Sequence, residues 1–344
     1  MSAVTINLEG RPDADTMDTA DLERLLEGLR EARHQMGQVV LGQSDIIELL
    51  LIGLIAGGHV LLEGPPGAGK TLLVRTLADA TALQFSRVQF TPDLMPADIT
   101  GSMVLATDAD GHNVLKFQRG PIFTQLLLAD EINRATPRTQ SALLEAMQEH
   151  TVSAAGTSMA LPQPFFVLAT QNPIEMEGTY MLPEAQIDRF MFRIDVPYPS
   201  PETLSAILHA TTGDTQIRAS QSLVAEDIIT LQKLGRSVPI AEHVRRAVAL
   251  FACSTQPETA DASADVKRFV RFGLSPRGAQ GLVRAAKGHA LLNGRFAVAF
   301  EDLRAVLLPT IRHRLQLNFE GSAEGIELDR LAIKLFDQAV KAVA

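Results

Sequence analysis

Gly64-Pro65-Pro66-Gly67-Ala68-Gly69-Lys70-Thr71 follows directly on His59-Val60-Leu61-Leu62-Glu63, a short apolar run of strand type, and leads into Leu72-Leu73-Val74-Arg75-Thr76-Leu77-Ala78, a helical segment. A strand that hands over to a helix through a glycine-rich turn makes a P-loop. Successive backbone N–H groups of such a turn, together with the helix N-terminus, form a concave anion site. Gly64, Gly67 and Gly69 permit the turn, Lys70 is placed to reach β- and γ-phosphates, and Thr71 is placed to hold Mg²⁺ through its hydroxyl. Pro65, Pro66, Ala68 and Leu72 complete the expected cradle. The order matters more than the letters, because G-x-x-x-x-G-K-[ST] without its flanking strand and helix also matches ordinary glycine turns.

Outside this stretch the composition sets bounds. A chain of 344 residues with 46% hydrophobic content can fill two cores. The net charge of −9 argues against a surface built for phosphate backbones, so nucleic acid is a minor hypothesis. Cys253 is the only cysteine, which excludes an intrachain disulfide and a C-x-x-C zinc site. It lies in the apolar stretch 247–253, where a small core filler is expected. The histidines show no metal-ligand spacing. The first twenty residues lack the order of a secretory signal, so a cytoplasmic protein is expected. The long apolar run 46–62 contains Glu48, His59 and a Gly57-Gly58 break. It reads as a buried helix, a turn and a central strand, with no insertion into a membrane.

Residues 1–18 are polar and read as a flexible tail. From Thr19 to Val39 a helix presents Leu22, Leu25, Leu26 and Leu29 as a stripe for the core. Strands are expected at 59–63, 84–90, 125–129, 165–170 and 191–196, several of them unbroken apolar runs separated by helical sequence. That is how parallel strands covered on both faces look. Residues 19–199 therefore read as an α/β domain, a doubly wound αβα sandwich around a five-stranded parallel sheet. The proline cluster Pro197-Tyr198-Pro199-Ser200-Pro201 reads as a linker. Beyond it, 200–344 reads as a smaller all-helical domain with helices near 202–211, 225–235, 240–253, 276–292, 301–314 and 325–342.

Leu126-Leu127-Leu128-Ala129-Asp130-Glu131 is an apolar strand ending in two carboxylates, which must emerge at the sheet edge where ligands of α/β folds bind. Asp130 suits the Mg²⁺ shell and Glu131 suits polarising a water. An acidic pair can equally open a helix; the P-loop favours the first reading. Phe165 to Thr170 runs into Gln171-Asn172-Pro173, where the Asn172 amide can hold a water in line with a γ-phosphate or merely start a turn.

Taken together, the P-loop, Asp130-Glu131, Asn172 and a following helical domain resemble the AAA+ ATPases, and the local strings are similar to the MoxR family within them. The segments that carry the likeness are 128–135 (LADEINRA), 141–149 (SALLEAMQE), 169–173 (ATQNP), 182–190 (LPEAQIDRF) and 275–277 (SPR). The resemblance spans residues 35 to 315. Thr136, Met176 and Met181 depart from the family pattern without removing a catalytic group.

The resemblance implies an ATP-hydrolysing ring, six subunits being the expectation, with ATP and Mg²⁺ as cofactors and a von Willebrand factor A domain protein as partner. The work implied is remodelling of a client or insertion of a metal or cofactor. Arg189 corresponds to an arginine finger that enters the neighbouring subunit's site, although the residues alone also allow a local ion pair with Asp188. Arg277 corresponds to the sensor 2 arginine of the helical lid, or is a surface charge at a helix start. Val40-Leu41-Gly42-Gln43 is similar to the segment that lies against adenine. Segments 91–119 and 151–164 correspond to a helix-2 insertion and a hairpin facing pore or substrate, or are plain loops. A nucleotide-gated scaffold with little turnover and a DNA-acting motor remain competing readings. No Asn-Lys-x-Asp string supports a GTPase.

Overall fold

A computed structural model describes residues 18–107, 111–154, 156–172, 179–212, 217–260 and 262–343. The expected tail, Asp18 apart, lies outside the described residues, as do Pro173 and Met176.

Helix α1 (Thr19–Val39) buries Leu25, Leu26, Leu29, Ala32 and Met36, the stripe that the leucine spacing predicts, with Leu22 packed at its margin. The long apolar run resolves into α2 (Ser44–Ile55), a glycine turn and β1 (His59–Glu63). The P-loop then leads into α3 (Lys70–Thr81), followed by β2 (Phe85–Gln89) and the single-turn α4 (Pro96–Thr100). An antiparallel hairpin, β3 (Gly101–Thr107) with β4 (Asn113–Arg119), stands in the segment expected to carry an insertion. Strand β5 (Leu126–Asp130), helix α5 (Pro137–Glu149) and a second hairpin, β6 (Thr151–Ala154) with β7 (Thr157–Ala160), come next. Strand β8 (Phe166–Gln171), the short α6 (Glu184–Ile187) and β9 (Phe190–Asp195) complete this part.

The central sheet has the order β2-β5-β8-β1-β9, and every neighbouring pair is parallel. Alternation along its strands feeds two cores. Val60, Leu62, Leu126, Leu128 and Leu168 join the cluster beneath α1, α2 and α3, whereas Leu61, Leu127, Ala129, Val167 and Ala169 join the one beneath α5. Each leucine buried this way contributes about 2 kcal/mol.

After Ser200, whose hydroxyl caps α7 (Pro201–Thr211) by accepting from the Thr203 N–H, the chain is mostly helical. The helices are α8 (Ala225–Ser237), α9 (Glu242–Ser254), α10 (Ala264–Phe269), α11 (Pro276–Leu292), α12 (Phe300–Ile311), α13 (Phe319–Ala323) and α14 (Leu328–Lys341). One element departs from the all-helical expectation: β10 (Val270–Phe272) pairs antiparallel with β11 (Gln316–Leu317). These helices do not form a separate core. Leu231, Ala285 and Leu291 join Leu51, Ile52 and Ile55 of α2 in the same continuous cluster.

Cys253 is exposed, contrary to the core filler expected from its apolar stretch. The buried stripe of α9 is Val244, Ala247, Val248 and Phe251, and Cys253 falls off that 3.6-residue period.

Candidate nucleotide site

The P-loop joins the C-terminal end of β1 to α3, at the edge where a parallel sheet offers its ligands. Gly69 caps α3 with φ +82°, and Gly67 has φ +79°; a side chain at either would be strained although the space around it is open. Gly64 passes so near the end of β9 that a Cβ would lie 2.4 Å from the Val196 carbonyl oxygen. The first turn of α3 holds neither a capping side chain nor an acid. Its amides and the open side of the loop therefore suit an anion. Lys70 Nζ donates to the carbonyls of Gly64 (2.5 Å) and Pro65 (3.3 Å). Burial pulls its pKa down, and the charges of Asp130 and Glu131 oppose that.

Gly42 and Gln43 lie beside the loop. Gln43 donates to the Ala68 carbonyl at 3.3 Å, while its Oε1 is buried without a partner. Gly42 faces α7, where a Cβ would approach Thr203 Cγ2 to 2.5 Å. A buried acceptor lacking a donor is what a base amino group can satisfy.

Asp130 ends β5 and is buried. Its Oδ1 accepts from Thr170 Oγ1 at 2.6 Å, and its Oδ2 accepts from Arg87 of β2 at 2.6 and 3.1 Å. The same Thr170 hydroxyl accepts the Glu131 N–H at 2.8 Å, so one side chain fixes both acids. Glu131 adopts a left-handed backbone, φ 57° and ψ 50°, a conformation that costs about 1 kcal/mol and is common at functional sites. Its Oε2 accepts from Gln89 Nε2 (2.8 Å) and Arg134 Nη1 (3.2 Å). Asn172 is buried just beyond Gln171, which pairs with Glu63, and so sits level with the start of the P-loop. Lys70, Thr71, Asp130, Glu131 and Asn172 thus gather at one edge.

Arg87, Gln89 and Thr170 were not singled out from the sequence. The only available signal was polar residues at alternate positions of β2 and at the last buried position of β8. Their meaning comes from the parallel register that sets Gln89 opposite Asp130.

Arg189 and Arg277 stand elsewhere. Both line a cavity of about 310 Å³ with Gly57, His59 and Gln148, at the N-terminal end of β1. The length of β1, roughly 15 Å at about 3.3 Å per residue, separates them from their own chain's P-loop. The expectation that Arg277 overhangs that loop is not met. Its Nη2 lies 3.4 Å from Gln148 Oε1. Asp188 does not pair with Arg189; its carboxylate accepts from Arg314 Nε (2.6 Å) and Ser275 Oγ (3.0 Å). Arg314 is buried and also donates to the carbonyls of Phe190 (2.6 Å) and Met191 (3.1 Å), which pins the corner carrying Arg189.

A P-loop on the central strand, an acidic pair ending a neighbouring strand and the order β2-β5-β8-β1-β9 define a P-loop nucleoside triphosphatase. Comparison with known proteins narrows that class. The profile of the ATPase family associated with various cellular activities (AAA) matches residues 59–192, and that of the AAA lid domain matches residues 262–331. Chaperone MoxR1 of Mycobacterium tuberculosis is 44% identical over 302 residues, covering 87% of this chain and 78% of that protein. Protein MoxR of Paracoccus denitrificans is 36% identical, covering 84% and 88%. A crystal structure of a protein assigned as an ATPase from Cytophaga hutchinsonii superposes with a TM-score of 0.86 at 37% identity, covering 92% and 96%. The chain belongs to the MoxR family of AAA+ ATPases. It is an ATP-hydrolysing enzyme.

Proposed function

We propose that the chain is one subunit of a Mg²⁺-dependent ATPase ring, with each hydrolytic site divided between two subunits, and that it drives chaperone-like remodelling of a partner protein. The observation that carries this reading is the position of Arg189 and Arg277: together, in one cavity, at the opposite edge of the sheet from their own P-loop. Arginines placed so can offset phosphate charge only in another copy's site.

Within one subunit, the loop amides from Gly64 to Thr71 and the Lys70 ammonium bind the phosphates. Thr71 and Asp130 would hold Mg²⁺, Asp130 from its buried seat between Thr170 and Arg87. The hydroxyl and carboxylate are hard oxygen donors of the kind this ion takes. The ion would neutralise charge on the phosphate oxygens. Glu131 accepts the proton of the attacking water after exchanging its contacts with Gln89 and Arg134, and Asn172 orients that water. Gly42 and Gln43 take the base.

Chaperone-like work is supported by the M. tuberculosis relative. The von Willebrand factor A domain partner, the ring of six, the cytoplasmic setting and the division near residue 200 are carried by the family resemblance. Among the described residues no helix is long and apolar enough to cross a membrane.

The reading is tested by the dependence of turnover on protein concentration. Activity per chain should rise at least about tenfold across the assembly range, because removing a transition-state arginine costs orders of magnitude, and Arg189→Ala should stay flat and low. Equal activity per chain in monomer and assembly would overturn it.

A further inference from the structure

Two apolar surfaces lack a partner, and they lie on opposite sides of the chain. The first is a groove of about 450 Å³ between α8, α9 and α11, with Ile240, Val248, Ala249, Ala279 and Val283 on its floor. Arg236, Arg284 and Lys287 rim it. Arg284 and Lys287 donate to backbone carbonyls, those of Ala56 and Gly57 and that of Arg236, and none of the three forms an ion pair among the described residues. The groove runs into the cavity that holds Arg189 and Arg277, since Gln280 and Arg284 line both.

The second surface is α7 with its surroundings. This helix carries Leu204, Ile207 and Leu208 yet buries none of its residues. Leu208, Leu72 and Ile217 are each about half exposed. The patch adjoins the nucleotide cradle: Leu72 follows Thr71, and Thr203 of α7 faces Gly42. Its margin is acidic, with Glu202 at the start of α7 and Asp79 beside Ile217.

We infer that α7 and its apolar margin dock into the α8/α9/α11 groove of a second copy of this chain. One chain cannot bring the two surfaces together, because they flank opposite ends of β1. A neighbour that delivers Arg189 and Arg277 to this chain's P-loop necessarily brings its groove up to α7. The cationic rim then meets Glu202 and Asp79, and the apolar floor covers Leu208. The contact is head to tail, so repetition closes a ring or propagates a filament. The inference rests on the divided-site reading above and adds the surfaces that hold the division together.

The test uses two full-length variants at exposed positions, Leu208→Arg on the helix and Ala249→Arg in the groove. Each alone should keep the circular dichroism of the unmodified chain, lose at least about thirtyfold in self-association and sediment as a monomer with ATP and Mg²⁺. Mixed in equal amounts they should form a dimer and nothing larger, because the mixture holds one sound helix surface and one sound groove. Turnover in that dimer should require Lys70 of the Ala249→Arg chain and Arg189 of the Leu208→Arg chain, and be indifferent to the reverse pair. Variants that assemble like the unmodified chain, or a mixture that stays monomeric, would overturn the docking. An inactive dimer would leave the docking standing and sink the divided site.

Discussion

Thr170 sits at the last buried position of β8 and holds the chemistry of the site together, although a lone threonine at a strand end carries no signature. By donating to Asp130 and accepting from the Glu131 N–H, it fixes the acidic pair in the left-handed turn that aims Glu131 away from the sheet. Glu131 itself rests on Gln89 and Arg134. Glu131→Gln keeps the shape and removes the base. It should bind ATP as the unmodified chain does while turnover falls about 10²-fold or more, measured as nucleotide affinity against steady-state phosphate release. Turnover within a few-fold of the unmodified chain would remove Glu131 from the chemistry.

At the scale of elements, β1 is the strand on which the fold is threaded, and His59 at its start carries a pH dependence. Val167 N–H donates to its Nδ1 at 3.1 Å, and Nε2 lies 3.0 Å from the Met147 carbonyl, which fixes the neutral tautomer with the proton on Nε2. Burial pushes the His59 pKa down to about 4, only partly opposed by the Met147 carbonyl. A depressed histidine stabilises the fold fully above its unfolded value near 6.5 and loses that contribution as pH falls toward 4, because the unfolded chain then binds the extra proton. Burial depresses His313 in the same sense. Denaturant midpoints taken from pH 7 to pH 4 should fall by up to about 3 kcal/mol on account of His59, with a shallower slope in His59→Gln. An unchanged slope in that variant would contradict the assignment.

The same scale shows what the sequence discloses and why the remainder stays hidden. Unbroken apolar runs such as 126–129 can only be covered strands, and the leucine stripe of α1 can only be a docked helix, so periodicity exposes the sheet and most helices. The ladder of β10 and β11 is three residues against two, too short for any period. Cys253 misleads because an apolar run conceals the helical phase that turns it outward. Gln89 and Arg87 acquire roles only through the parallel register of β2 on β5, a relation between segments some forty residues apart.

For the whole molecule, one continuous core runs from α1 through the sheet to α14, so the helices after residue 200 are packed onto the nucleotide-binding part. Arg314 strengthens that union by pinning the start of β9 through Asp188 and the carbonyls of Phe190 and Met191. Arg189 and Arg277 are thereby presented outward from one rigid corner, at the end of the sheet away from the P-loop. A subunit built this way carries two halves of different sites. The most direct measurement mixes two inactive chains, Glu131→Gln with sound arginines and Arg189→Ala with a sound acidic pair, and records turnover in the mixed assembly. Because some junctions then join a sound Glu131 to a sound Arg189, activity should return to a substantial fraction of the unmodified level, peaking near equal proportions. Co-assembled mixtures that remain as inactive as either parent would contradict the divided site.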